Sequence, residues 1–282
     1  VAAGVRVAMP LHLVFVGAAG DADIAWQLRA LVELGENAAL DVVEHHVAAS
    51  ANAHLGNLVA QYRLAAGARL GLVQIQDAAD ATTLIRRNTF RLDRDAALST
   101  HTIEVGAQTM RHDFIVDLAG RGARFESRGV FALRDRQHAD THLVVDHNAR
   151  DTASDIVWRG VADQRARGVF HGAITVAAGA DGADAQLSNN NLLLSAQAEI
   201  DTQPVLEIHA DEVKAAHGAT VGQLDERVLF YLRSRGIPLD AARRVLIGAF
   251  CSAVLAGIAP DPLRRHIEAL LAARLPLMEA TP

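Results

Sequence analysis

Cysteine is almost absent: Cys251 is the only one, so no disulfide can form within the chain, and a reducing cytoplasm is the expected compartment. Aromatic residues make up only 4% of a chain that is 50% apolar. The core must therefore be built from Val, Leu, Ile and Ala in thin, repeated layers rather than around a few large rings. Positive charge is scarce too. A net charge of −6 and a pI near 6.1 leave no electrostatic footprint for nucleic acid, and no run of like charge marks a membrane-surface segment. Apolar runs long enough to cross a bilayer are missing, the longest being broken by Arg, Asp or Gly. The opening VAAGVRVAMP lacks the basic-then-apolar succession of a secretory signal. Because the chain opens on Val1 in mid-pattern, a truncated or processed form is expected. Lysine is rarest of all, with Lys214 the single example.

What the chain does have, from about residue 11 to 210, is a succession of short apolar runs separated by Gly, Asp, Asn and Ser. LHLVFV (11–16), ALDVVEHHV (39–47), LGLVQI (70–75), FIVDL (114–118), THLVVDH (141–147), GAITVAA (172–178) and VLEIHA (205–210) all read as strands. Only IAWQLRALVEL (24–34) and NLVAQYRL (57–64) suggest helices in this region. Weak self-similarity, as between GARLGLV (67–73) and GARFESRGV (122–130), places one turn before each strand. In such a coil each rung buries its inward residues only against the rungs above and below. The pattern predicts a right-handed parallel β-helix over residues 1–222, with SNNN (188–191) at a corner, where Asn tolerates left-handed backbone. Short strands alone also fit a β-sandwich.

After residue 222 the period changes. LDERVLFYLRSRG carries acidic residues at its start and Arg and Gly at its end, which are helix start and stop signals. A second helix is expected from Pro238 through AARRVLIGAFCSAVLAGI with Asp240 as its cap, and a third from Pro260 to before Pro276. Residues 223–282 thus form a small helical domain.

Few residues carry chemistry of their own. His138, His142 and His147 cannot converge on one ion in a strand, because residues four apart on one face stand about 13 Å apart. His45 and His46 point to opposite faces. Asp211, Glu212, Asp225 and Glu226 could suggest the paired acid and base of a β-helical polysaccharide hydrolase or lyase, but their places at a strand end and a helix start are explained by the helix dipole. GATVGQ lacks the Lys and Ser or Thr of a phosphate-binding loop, and Cys251 lies in an apolar helix as a small core residue.

Residues 189–237, NNNLLLSAQAEIDTQPVLEIHADEVKAAHGATVGQLDERVLFYLRSRGI, are the specific part of the sequence. This stretch resembles the SufB/SufD family of the SUF iron-sulfur cluster assembly machinery, and in particular its SufD branch. Matching positions include Asp201, Pro204, Glu207, Lys214, His217–Gly222 and Phe230–Gly236. Weaker similarity runs through residues 146–176, on His147, Ser154, Arg159, Gly160 and Phe170. The SufB branch has a different His-centred stretch with cysteines nearby. The resemblance implies a scaffold without catalytic activity that pairs with SufB through the β-helix and docks the SufC ATPase through its C-terminal helices. It has no permanent cofactor and at most a transient iron or iron-sulfur cluster at the SufB interface, and in isolation it can form a homodimer.

By the same resemblance His217, a borderline ligand for iron, and Lys214 belong to the cluster-assembly interface. Phe230, Tyr231, Arg233 and Arg235 belong to the SufC contact. Some family members carry a cysteine two positions before the histidine, where this chain has Ala215. The alternative for His217 is a rung-end side chain that bonds a turn. A plain protein-interaction solenoid without metal chemistry is the alternative for the whole.

Overall fold

The computed structural model describes residues 1–17, 22–48 and 53–274. Its body is a parallel β-solenoid. Odd-numbered strands β1 (Leu11–Gly17), β3 (Ala39–Ala48), β5 (Arg69–Asp77), β7 (Ala97–Glu104), β9 (Arg124–Leu133), β11 (Ala153–Ala162), β13 (Asp184–Leu193) and β15 (Lys214–Gly222) stack into one sheet. Even-numbered strands β2 (Ile24–Leu34), β4 (His54–Leu64), β6 (Thr82–Leu92), β8 (Thr109–Leu118), β10 (His138–His147), β12 (Arg167–Val176) and β14 (Glu199–Ile208) form the other. Successive strands alternate between the sheets, so every ladder pairs strands two apart in sequence. This is the β-helix the turn spacing predicts; two face-to-face antiparallel sheets are excluded.

The turns explain the regular coil. Asn37, Gly67, Asp95, Gly122, Asp151 and Gly182 all take positive φ. Each precedes a small residue, namely Ala38, Ala68, Ala96, Ala123, Thr152 and Ala183, which is buried. One left-handed residue reverses the chain, and the next plugs the corner. The corners stack so closely that a Cβ on Gly67 would lie 2.3 Å from Asn37 Oδ1 of the rung before.

Two of the expected elements are different in kind. Residues 24–34 and 57–64 lie in strands β2 and β4, not in helices. In IAWQLRALVEL every even position is apolar, a perfect two-residue period that coexists with the helical one. Neighbouring rungs decide between them, because Leu58, Ala60, Tyr62 and Leu64 each add a step to an inward column already set by β6. SNNN is likewise not a corner but the middle of β13.

Inside the coil, rings stack rung on rung: Tyr62 on Phe90 at 4.4 Å, Phe90 on Phe114 at 4.6 Å and Phe114 near Phe125 at 5.8 Å. Each of these buried rings adds roughly 1.5–3 kcal/mol.

Helices α1 (Glu226–Ser234), α2 (Leu239–Ser252) and α3 (Asp261–Arg274) follow. α2 begins at Pro238 with no side-chain cap, and Asp240 sits in its first turn instead. It stops at Ser252 rather than running on to Ile258. There Val254 and Leu255 tighten into turns, with Val254 N donating to Cys251 O at 3.1 Å, and both bury against the sheet. The expected end of the third helix lies outside the described residues. Ile247, Cys251, Val254, Leu255, Ile258, Ile267 and Leu271 cover the outer face of the odd-numbered sheet over Val73, Ile75, Ile103, Val130 and Val161. This is why the second halves of β7, β9 and β11 are buried on both faces.

Candidate functional site

The solenoid ends on an open rung. β14 bonds only to β12 and β15 only to β13, so each has one free edge among the described residues. Lys214 N donates to Ala183 O at 2.9 Å, which turns the backbone of Lys214, Ala216, Gly218 and Thr220 toward β13. By strand alternation the amides and carbonyls of Ala215, His217, Ala219 and Val221 face the free edge. On β14, Glu199 N donates to Ala166 O at 3.0 Å and His209 N to Val176 O at 2.9 Å, so the even positions face outward. Pro204 is one of them. Its missing N–H blunts the free edge of β14 at mid-strand, whereas β15 carries no such block.

His217 pairs in register with inward-facing Leu187. On an earlier rung it would be buried, but among the described residues no rung follows, and it is exposed. It therefore stands within β15, on the core-facing side of an uncovered rung. Lys214, three residues away, projects from the opposite face. The two residues expected at one interface share an edge but not a face. Below His217 an amide ladder stiffens the rung: Asn191 Nδ2 donates to Asn189 Oδ1 at 2.7 Å and to Thr220 O at 3.0 Å, and Thr202 Oγ1 donates to Asn189 Oδ1 at 2.7 Å. Both asparagines are buried.

The α1 helix leaves this end. Asp225 caps it, its carboxylate accepting from Arg227 N at 2.8 Å, which accounts for one of the suspected carboxylates. Leu229 is buried, while Phe230 is 74% and Tyr231 55% exposed. Thus Leu229, not Phe230, fastens the helix to the body, and the ring of Phe230 is free. Arg235 lies over the Tyr231 ring at 5.2 Å and donates to its hydroxyl at 3.1 Å. Gly236 closes the helix at φ +84. Arg233 is exposed beside them.

Buried charge in the interior was not anticipated from sequence. Glu44 accepts from Tyr62 Oη, from Gln74 Nε2 at 2.9 Å and from Arg86 at 2.6 Å, all in the core. Burial, then the Glu44 carboxylate, push the Tyr62 hydroxyl pKa well up. A second acid, Glu104, meets His112 Nδ1 at 3.0 Å and accepts from Thr141 Oγ1 at 3.0 Å. The signal was available: in a period-2 reading Glu44, Arg86 and Glu104 all fall on inward positions.

The remaining histidines separate as their strands require. His147 is buried between Thr152 Oγ1 at 2.8 Å and Ser154 Oγ at 2.9 Å, and burial lowers its pKa to about 4. His142 is half-buried on the outer face beside Asp140 and, at 4.9 Å, His171. His45 is on the outer face of β3 and His46 inside, stacked on Phe15 at 4.6 Å. Cys251 is core, its thiol pKa pushed up to about 12 by burial. No three His, Cys, Asp or Glu side chains form a closed metal-ligand set among the described residues. None of the described helices is long and apolar enough to cross a membrane.

Comparison with known proteins places this architecture. Residues 15–250 match the SufBD core domain of the SUF system for FeS cluster assembly. The chain is 32% identical over 275 residues to the iron-sulfur cluster assembly protein SufD of Escherichia coli (strain K12), covering 97% of this chain and 65% of that protein. It is 32% identical over 266 residues to a SufBD family protein of Synechocystis, covering 90% of this chain and 58% of that one. A SufBD family protein of Mycobacterium tuberculosis (H37Rv) is 32% identical over 287 residues, covering 98% and 70%. The chain thus spans less than two thirds of the length of the first two relatives.

Proposed function

This chain belongs to the SufBD family of the SUF iron-sulfur cluster assembly system, and on that premise we propose that it is a non-catalytic scaffold subunit on which clusters are assembled. The observation that carries the reading is the open last rung, where an unblocked strand edge and an exposed imidazole, His217, stand together. An edge of this kind takes up a strand from another protein, main-chain hydrogen bonds supplying affinity. SufB is the proposed partner there, and a second copy of the chain can take its place when the subunit is alone. His217 would then sit at the seam, where a neutral imidazole can ligate iron arriving as cargo. Lys214, on the opposite face, contacts the partner from outside the seam.

The SufC ATPase docks on α1. Phe230 and Tyr231 are aromatic anchors of the type that dominate interfaces, and Arg233 and Arg235 supply charge beside them. Nucleotide-driven closure of SufC would pull on α1 and so on the rung from which it springs. That rung is where the cluster would be built.

The test is His217→Ala. A buried, bonded histidine replaced by Ala would cost about 1–3 kcal/mol, but His217 is exposed and is expected to cost far less. The variant should be soluble, melt near the parent and assemble with SufB and SufC, yet fail to restore cluster formation in cells lacking the native subunit. Full complementation would reject the role, and loss of solubility would return His217 to a structural one.

A further inference from the structure

The helical layer over the odd-numbered sheet is not closed. A cavity of about 250 Å3 opens between α2 and α3, lined by Gly248 and Cys251 of α2, Leu255 just beyond it and Leu271 of α3. Cys251, Leu255 and Leu271 are buried and also belong to the apolar layer that covers the sheet, so the floor is hydrocarbon and thiol. Gly248 lies in the interior of α2, where glycine is the poorest helix former after proline. A Cβ added there would meet no atom within 4 Å, so the small residue leaves open a wall that a larger side chain could occupy. An apolar cavity of roughly 150 Å3 takes up one benzene ring, and by that measure this one suits a body of about ten carbon atoms.

The charged residues of the lining are Arg244 and Glu268, both exposed. Glu268 accepts from Arg264 Nη1 at 2.6 Å, so its charge is already matched within α3. Arg244 has no ion-pair partner among the described residues, and a guanidinium can hold a carboxylate through two parallel hydrogen bonds. A doubly charged head such as a phosphate monoester would be repelled by the nearby Glu268 more strongly, so a single negative charge fits better. The site thus offers apolar burial for a body and one free cation for a head.

We propose that this cavity binds a small amphipathic carboxylate, its apolar body between α2 and α3 and its head on Arg244. Because the body touches both helices, occupancy would fasten α3 to α2 and steady the layer over the odd-numbered sheet.

The experiment titrates the whole chain with decanoate, below the concentration at which it forms micelles, and with decanol as an uncharged match. Calorimetry should show one saturable site that takes decanoate at least tenfold more tightly than decanol. Arg244→Gln should remove that preference, bringing the two affinities together. Gly248→Leu, which fills the cavity, should weaken both at least tenfold without lowering the melting temperature, and the smaller Gly248→Ala, which favours the helix, should weaken both in the same direction. Cys251 is the sole cysteine and lines the cavity, so its rate of alkylation by iodoacetamide reports occupancy and should fall at least fivefold under saturating decanoate. Absence of saturable decanoate binding would overturn the site, as would affinities unchanged in Arg244→Gln and both Gly248 variants, or a thiol that decanoate does not protect.

Discussion

Glu44 can sit in the core only because three neighbouring strands, β4, β5 and β6, each send it a donor. Arg86, 1% exposed, is the charged one. Taking one partner from a buried pair leaves an uncompensated charge, whereas replacing both by apolar groups is often neutral. Arg86→Leu should therefore destabilise the chain by about 3–5 kcal/mol in urea titration, and the double variant Arg86→Leu with Glu44→Leu should recover most of that loss. An equal loss in the double variant would show that packing, not charge, is at stake. His147 carries a pH dependence of definite sign. Its pKa is lowered from 6.5 to about 4 by burial, so the folded state favours the neutral ring. The stability it contributes is complete above pH 6.5 and falls as pH drops from 6.5 toward 4, by roughly 3 kcal/mol if no other group compensates. His147→Gln should flatten that part of the stability profile, measured by chemical denaturation between pH 4 and 7. An unchanged slope would assign the acid sensitivity to other buried histidines, His46 and His112 among them.

Strands are legible where inward and outward positions differ in polarity, as in THLVVDH, and ambiguous where Ala and Leu fall on both, as in IAWQLRALVEL. The latter can be resolved only by its neighbours in the stack, which a local window does not contain. The turns were readable because one backbone requirement recurs: a left-handed residue followed by a small one. Helix α1 was readable from Asp225 and Gly236 at its two ends. Its exposed ring was not, since 3.6-residue periodicity marks Leu229 and Leu232 as apolar without saying what uncovers Phe230. The free edge of β15 was equally hidden, because which strand is last depends on the whole coil. At this scale the docking prediction takes shape. Phe230→Ala, and separately Arg233→Ala with Arg235→Ala, should each weaken binding to SufC at least tenfold, with melting unchanged. Unaltered affinity in both would reject α1 as the docking element, and a collapse in melting temperature would mean that these side chains brace the helix instead.

A solenoid has two ends, and each must be covered, blunted or used. At the first end β1 and β2 expose Leu11, Val14, Val16 and Leu31. At the last end one strand of the pair is blunted by Pro204 and the other is not, an asymmetry that makes β15 the edge for the proposed pairing. Backbone parity then separates fold from assembly at neighbouring residues. Ala219 turns its amide to the free edge, while Gly218 turns its amide to β13. Ala219→Pro removes an N–H that the folded subunit does not use, and proline is tolerated at edge positions of this kind. The variant is expected to melt within a few degrees of the parent but to lose association with SufB, and self-association when alone, by at least tenfold in analytical ultracentrifugation. Gly218→Pro, which breaks a ladder bond to β13, is expected to lower the melting temperature as well. If Ala219→Pro assembled as the parent does, the seam would have to lie elsewhere, and His217 would lose its place at the junction of two subunits.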